Sequence, residues 1–166
     1  MNRSPIIAAS ELLAIYKTNN IVLIDASNGK NAKLNYQEKH LKGALFVDLD
    51  TQLADIKEDF SNGGRHPLPS VKEFAKKFTA LGIANESEVV VYDDNNGSNA
   101  AARLWWMLTS AGHEKVQVLN GGLKEALKIG FPTSNEIEQP NHLNPCKVKK
   151  CLLPISNTIT QYKIVQ

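Results

Sequence analysis

The sequence predicts an α/β fold with three layers, in which a central, mostly parallel sheet has helices on both faces. Short apolar runs alternate with amphipathic stretches along the chain, and polar or glycine-containing turns separate them. Such apolar runs are typical of strands that are buried on both faces, as in parallel sheets. Strands that alternate with helices indicate crossover connections, which place the helices on both faces of the sheet.

Four apolar runs are predicted to form the strands, and they are residues 21–26, 44–48, 88–92 and 116–119. Three aspartates lie at the carboxyl ends of these runs, namely Asp25, Asp48 and Asp93. Because the carboxyl ends of parallel strands meet at one edge of a sheet, we expect the three aspartates to lie along that edge.

Five amphipathic stretches are predicted to form the helices, and they are residues 10–17, 36–41, 70–81, 100–112 and 123–128. Ser70 and Glu73 have the spacing of a capping box, in which the serine hydroxyl accepts a bond from the third helical N–H and the carboxylate bonds back. Gly82 follows the third stretch and Gly130 the fifth, and glycine commonly ends a helix.

The chain of 166 residues is long enough for one domain of ordinary size. The composition of the chain changes after residue 132, where asparagine and proline become frequent. We therefore expect one domain over residues 1–132, a linker over residues 133–146, and a tail over residues 147–166. The tail is interpreted as the start of a second domain whose body the chain does not include.

Composition and charge exclude several classes of function. Hydrophobic residues make up 42% and charged residues 22% of the chain, and the net charge is +2 with no basic stripe, so nucleic-acid binding is not expected. No apolar run approaches the roughly 20 residues that a membrane span needs. Cys146 and Cys151 do not suggest a disulfide framework, and we expect an intracellular, cytoplasmic location.

One loop attracts attention because it joins a predicted strand to a predicted helix. Its residues are Asp93, Asp94, Asn95, Asn96, Gly97, Ser98 and Asn99. A polar loop at a helix N-terminus forms a cradle of N–H groups that favours an anion. This loop has no cysteine, and no basic partner near Ser98 in the sequence would activate its hydroxyl.

Four segments of the sequence carry a resemblance to a known family. Residues 36–44, Tyr-Gln-Glu-Lys-His-Leu-Lys-Gly-Ala, resemble the N-terminal rhodanese signature, with Lys42 where proline is usual. Residues 89–93 and 101–106 resemble the first, non-catalytic domain of two-domain sulfurtransferases. Residues 119–123, Leu-Asn-Gly-Gly-Leu, are similar to the Asp-Gly-Gly segment of the same proteins.

The resemblance implies a thiosulfate or 3-mercaptopyruvate sulfurtransferase of the rhodanese type. In that family the second domain supplies a cysteine thiolate, which takes up a sulfane sulfur as a persulfide and passes it to cyanide or a thiol. Converging N–H dipoles favour the thiolate. The resemblance implies that this chain is inactive alone and that its partners are a C-terminal catalytic domain and a small anionic sulfur donor. It implies no cofactor.

The resemblance also implies roles for residues near the interdomain cleft. Asp50 and His66 match the aspartate and histidine thought to assist a serine of the partner domain in the 3-mercaptopyruvate branch. The alternative is that Asp48 or Asp50 caps a turn and that His66 lies at the domain seam. Arg65 is a candidate to meet an anionic substrate, because a guanidinium pairs with oxyanions. Arg103 is expected either to reach the cleft or to form an ion pair with Asp93 or Asp25.

Other side chains are given more ordinary roles. His40 is expected to make a buried hydrogen bond, and His113 is expected at the surface. Trp105 and Trp106 point about 100° apart on a helix, so one is expected in the core and the other against the absent domain. No metal site is expected, because the widely spaced His142, Cys146 and Cys151 lack a fourth zinc ligand.

Two other classes of function remain as alternatives. A cysteine-free rhodanese domain can be a binding or regulatory module, and the sequence beyond residue 166 would distinguish this from half of an enzyme. The segment Asp48-Leu49-Asp50-Thr51 suggests an aspartate-nucleophile phosphatase, although the threonine comes one residue early. The acidic loop is a weak calcium-site candidate, because alignment on Gly97 places Tyr92 where a carboxylate is needed.

Overall fold

The structure is a computed structural model that describes residues 4–18, 20–61 and 64–140. In chain order the strands are β1 (Ile6–Ile7), β2 (Ile21–Asp25), β3 (His40–Leu41), β4 (Ala44–Phe46), β5 (Glu88–Tyr92), β6 (Val116–Leu119) and β7 (Thr133–Ser134). The helices are α1 (Ala9–Ile15), α2 (Ala32–Glu38), α3 (Leu49–Gln52), α4 (Val71–Ala80), α5 (Ala100–Ser110) and α6 (Gly122–Lys128). None of these helices is long and apolar enough to cross a lipid bilayer.

Five strands form a wholly parallel sheet in the order β1-β6-β5-β2-β4. The register pairs Ile24 of β2 with Leu45 of β4 on one side and with Val91 of β5 on the other. The carboxyl ends of β5, β2 and β4 are therefore neighbours, and the predicted parallel sheet is confirmed. The loops that follow these three strands meet at one edge, where the candidate site lies.

Alternate residues of the central strands enter two separate cores, one on each face of the sheet. Val89 and Val91 pack in one cluster with residues of α4 and α5, whereas Val90 and Tyr92 pack in the other with residues of α1 and α6. Side chains of a strand point alternately to its two faces. This arrangement confirms the predicted three layers.

The first predicted helix after β2 is wrong in its position and in its second half. The helix covers Ala32–Glu38, and His40–Leu41 is a strand that pairs in antiparallel fashion with Thr133–Ser134. The sequence indicated neither of these two short strands, nor β1 and α3. Residues 133–134, at the start of the predicted linker, therefore pair with the domain. Residues 141–146 of that linker and the whole predicted tail, 147–166, lie outside the described residues.

A network of aromatic side chains fixes residues 36–44 to the sheet. His40 is fully buried, its Nδ1 lies 2.6 Å from the Tyr36 carbonyl oxygen, and the two rings stack with centroids 3.9 Å apart. The Tyr36 hydroxyl donates to the Ala44 carbonyl oxygen (2.7 Å), and the Leu41 N–H donates to the Tyr92 hydroxyl (3.1 Å). Burial, with the nearby Glu138, raises the pKa of Tyr36 to about 12. The predicted buried hydrogen bond of His40 is confirmed.

The predictions for His113 and for the two tryptophans are confirmed only in part. The prediction that His113 lies at the surface is wrong, because its side chain is only 2% exposed. Burial lowers the pKa of its imidazole, and hydrogen bonds to the backbone at Ser87 and Lys115 oppose that shift. Trp105 is partly buried against the core, whereas Trp106 is 40% exposed. This confirms that one tryptophan packs on the core, and the contact of the other with an absent domain stays a prediction.

We predict that Gly122→Ala destabilises the fold much more than Gly130→Ala. Both glycines have positive φ, 55° and 76°, so either alanine costs about 1 kcal/mol of backbone strain. A methyl group at Gly122 would also meet the Asp93 carbonyl oxygen, whereas one at Gly130 would meet no atom within 4 Å. Urea unfolding should show an additional loss of about 2 kcal/mol for Gly122→Ala. Equal losses would mean that the close approach to Asp93 is relaxed at no cost.

Candidate functional site

The four residues predicted for the cleft line one cavity of about 440 Å³ at the carboxyl edge of the sheet. The lining residues are Asn28, Gly29, Asp48, Leu49, Asp50, Arg65, His66, Asn99 and Arg103. A larger cavity of about 600 Å³ lies between α2, β4 and residues 137–140. The smaller cavity is the better candidate, because most of its lining side chains are polar and several can exchange protons or bind anions.

Helix α3 places two aspartates beside this cavity. Asp48 is the N-cap, and its Oδ1 accepts bonds from the Thr51 N–H (2.8 Å) and hydroxyl (2.7 Å). This capping bond engages the carboxylate that the phosphatase hypothesis needs as a nucleophile. Asp50, one residue into the helix, points to solvent and is 62% exposed.

Asp50 and His66 are brought together across a loop. The Nε2 atom of His66 lies 3.0 Å from Asp50 Oδ1, and the histidine side chain is 26% exposed. Arg65, the adjacent residue, is exposed and makes no ion pair within the described parts of the chain. A carboxylate–imidazole pair can hold and transfer a proton, and a guanidinium at the rim can attract an anion.

Arg103, on α5, lines the same cavity and is half-buried. Its Nε and Nη2 donate to the Leu53 carbonyl oxygen (3.3 and 3.0 Å), and Nη2 also donates to the His66 carbonyl oxygen (2.9 Å). The expectation of an ion pair with Asp93 or Asp25 is wrong, because these bonds aim the guanidinium at the 53–66 segment. Burial lowers the pKa of Arg103.

The loop between β5 and α5 does form a cradle of N–H groups, and a side chain of the loop fills it. The Asp93 Oδ1 accepts bonds from the N–H groups of Asn95 (2.9 Å) and Gly97 (2.6 Å). Its Oδ2 accepts longer bonds from Asn99 (3.3 Å) and Ala101 (3.2 Å). Asp93 is 1% exposed. The chain's own carboxylate thus takes the place that a bound anion would occupy.

The remaining loop side chains offer no alternative nucleophile. The Ser98 hydroxyl donates to the Asn95 carbonyl oxygen (2.7 Å), and the Asn99 amide donates to Asn28 Oδ1 (3.3 Å). Asp94 and Asn96 are exposed, and Asn96 has a φ of 59°. The loop is therefore a tightly bonded cap on the helix start, without a thiol.

Asp25 is a buried carboxyl group beside this loop, at the end of the neighbouring strand. It is 1% exposed and accepts a bond from the Ser27 N–H (2.8 Å). Burial raises its pKa, the bonds from Ser27 and Tyr92 oppose the shift, and the Asp94 charge adds to it. Sequence reasoning placed Asp25 at this edge but did not find Asn28 and Gly29, whose position directly after a predicted strand was the available signal.

The described residues contain no group of three or more His, Cys, Asp or Glu side chains that could hold a metal ion. His142, Cys146 and Cys151, which sequence analysis weighed as metal ligands, lie outside the residues that the structure describes.

Fold and loop together define a class of protein: an α/β domain with an anion cradle at the start of a helix after a central strand. The rhodanese-like domain family matches residues 8–128 of the chain. Thiosulfate sulfurtransferase of Cricetulus griseus is 42% identical over 112 residues, which cover 67% of this chain and 36% of that protein. Human 3-mercaptopyruvate sulfurtransferase is 36% identical over 124 residues, covering 71% and 40%.

A solved structure gives the same result. The chain superimposes on 3-mercaptopyruvate sulfurtransferase from Leishmania major with a TM-score of 0.72 and 31% identity, covering 83% of this chain and 37% of that one. The chain belongs to the rhodanese-like domain family, and its relatives are sulfurtransferases. It spans less than half the length of these relatives, as expected for one domain of a two-domain protein.

We predict that Asp93→Ala lowers the free energy of unfolding by about 3 kcal/mol, because four N–H groups lose a charged, buried acceptor. Urea unfolding followed by circular dichroism measures this loss. The exposed neighbour gives the matched control, and Asp94→Ala should change stability by less than about 0.5 kcal/mol. Similar effects at the two positions would contradict the proposed cradle.

We predict that the free energy of unfolding of Asp25→Asn rises relative to that of the parent protein as the pH rises. Because the folded-state pKa of Asp25 is raised, its stabilising contribution is complete below the unfolded-state value of 3.8 and is lost as the pH rises through the folded-state pKa. Asparagine keeps an acceptor for the Ser27 N–H but cannot ionise. The difference in unfolding free energy between variant and parent should grow in favour of the variant from pH 4 to pH 7. A pH-independent difference would show that burial does not perturb this carboxyl group.

Proposed function

We propose that the chain is the N-terminal, non-catalytic half of a sulfurtransferase that moves sulfane sulfur from thiosulfate or 3-mercaptopyruvate to a thiol or cyanide. The observation that carries this proposal is the filled cradle. The N–H groups of the loop and of the first turn of α5 donate to the Asp93 carboxylate, which leaves them no room for a thiolate or a persulfide. The nucleophilic cysteine must then come from a second domain of the same polypeptide.

The cleft beside the loop is the part of this chain that meets the donor. Its rim carries Arg65 and its wall carries Arg103, so a small anion entering the cleft approaches two guanidinium groups. The Asp50–His66 pair lines the same cleft, and its proposed role is to meet a group that the partner domain presents. The proposed role of the chain is to form one wall of the active site and to orient the donor.

In the proposed reaction, a cysteine of the partner domain carries the transferred sulfur atom. Its thiolate attacks the outer sulfur of thiosulfate or the thiol sulfur of 3-mercaptopyruvate and forms an S–S bond. The bond between that sulfur and the rest of the donor breaks, and sulfite leaves from thiosulfate or the enolate of pyruvate from 3-mercaptopyruvate. Attack by cyanide or a thiol on the persulfide then returns the thiolate. The Asp50–His66 pair supports the 3-mercaptopyruvate reaction, because the departing enolate must take up a proton.

A binding or regulatory module is the second candidate function, and the same filled cradle favours it. A domain that closes its anion site with its own carboxylate can keep the fold without the chemistry. The coding sequence after residue 166 distinguishes the two: a cysteine in a loop before a helix supports the enzyme, and its absence supports the module.

We predict that the 166-residue chain forms no thiocyanate from thiosulfate and cyanide, and no pyruvate from 3-mercaptopyruvate. The matched control is a Cys146→Ser, Cys151→Ser variant, which removes adventitious transfer by the two thiols. The protein with the second domain attached should turn over and should gain the mass of one sulfur atom on a cysteine of that domain. Turnover by the 166-residue chain that survives the double substitution and is lost on changing the 93–99 loop would contradict the proposal.

A further inference from the structure

We propose that Arg103 is a positioning residue that holds His66 against Asp50. It does so through hydrogen bonds to main-chain carbonyl groups at both ends of the loop that joins the two residues. The catalytic consequence of this inference rests on the proposed function, whereas its geometric part does not. The guanidinium bridges two carbonyl oxygens that are 13 residues apart in the sequence, those of Leu53 and His66.

The two carbonyl groups belong to the two elements that carry the pair. Leu53 is the C-cap of α3, the short helix that bears Asp50, and its N–H donates to the Leu49 carbonyl oxygen (3.2 Å). The second carbonyl belongs to His66 itself. One Nη2 atom therefore contacts the end of the helix with the carboxylate and the residue with the imidazole, at 3.0 and 2.9 Å.

The Asp50–His66 contact contributes little to fixing its own geometry. Asp50 is 62% exposed, and an exposed ion pair contributes little free energy of its own. A loop of this length loses considerable entropy when its ends are brought together. A backbone bond from the Asp55 N–H to the Pro67 carbonyl oxygen (2.9 Å) closes the loop once, and Arg103 closes it a second time from the side of the cavity.

Arginine suits this task better than lysine does. Its planar guanidinium presents several N–H donors in a fixed fork, so one side chain can bridge two acceptors with defined geometry. A lysine ammonium is a single rotating donor group on a flexible stem. Arg103 is half-buried, and its bonds within the described residues go to carbonyl groups and not to a carboxylate. The charge is thus used to fix backbone positions.

The chain offers a matched control for this contact. The Lys77 ammonium on α4 also holds α3, because its Nζ donates to the Thr51 carbonyl oxygen (2.7 Å). Among the described residues, the hydrogen bond of the Lys77 ammonium goes to α3 and not to His66. A general weakening of the anchorage of α3 is therefore reproduced by Lys77→Met, whereas loss of the link to His66 requires a change at Arg103.

The first test measures the side-chain nitrogens of His66 by NMR in the ¹⁵N-labelled 166-residue chain. Asp50→Asn defines the Nε2 signal of a His66 that has lost its carboxylate. Arg103→Met should shift the Nε2 signal towards that position, Arg103→Lys should shift it less, and Lys77→Met should leave it in place. A folded Arg103→Met or Arg103→Lys variant whose Nε2 signal matches the parent would overturn the inference. Should Arg103→Met fail to fold, Arg103→Lys alone decides.

The second test measures turnover of 3-mercaptopyruvate by the protein with its second domain. Arg103→Met should reduce kcat/KM by about tenfold or more, and combining it with Asp50→Asn should add little, because both changes act through one pair. A shifted NMR signal with unchanged turnover would refute the catalytic use of the pair while Arg103 keeps its positioning role. An unshifted signal refutes the positioning role whatever the turnover.

Discussion

The structure depends on one buried carboxylate, that of Asp93. It accepts four backbone N–H bonds, two from the loop and two from the start of α5, and thereby fixes the path of the 93–99 loop. The Asp93 carbonyl oxygen in turn accepts a bond from the Leu123 N–H (3.1 Å), which ties the loop to α6. A site that could hold an external anion in a related domain is here part of the folded core. The same interaction stabilises the loop and fills the position that an external anion would take.

Much of the fold could be predicted because strands that are buried on both faces consist mainly of apolar residues. Glu88–Tyr92 and Val116–Leu119 have the boundaries that their apolar runs indicate. Two-residue strands carry no such pattern, since they exist only through distant partners, as Ile6–Ile7 exists through Val118 and Leu119. The helix predicted over residues 36–41 is wrong for the same reason. Its last residues pair with Thr133–Ser134, a contact that no local pattern indicates.

The candidate site could be predicted in part. Resemblance to sulfurtransferases pointed to Asp50, Arg65, His66 and Arg103, and all four line one cavity. The partners of Arg103 and Asp93 could not be predicted, because they are backbone carbonyl and amide groups that every residue has. Sequence identifies a charged side chain, but only the fold determines whether it meets another side chain or the main chain. In this domain the Asp93 carboxylate and the Arg103 guanidinium both bond to main-chain groups. Backbone contacts therefore shape the cleft, and the charge of Arg65 lies at its rim.

A cradle that is closed by Asp93 and an open cleft that is lined by Arg65 and His66 therefore lie at the same edge of the sheet. The most direct measurement is a titration of the ¹⁵N-labelled chain with thiosulfate, followed by the backbone amide signals. Because the Asp93 carboxylate fills the cradle, the signals of Gly97 and Ala101 should stay in place while those near Arg65 and His66 move. Saturable shifts of the Gly97 and Ala101 amides at low thiosulfate concentration would show that the cradle opens to an external anion, and would contradict the account.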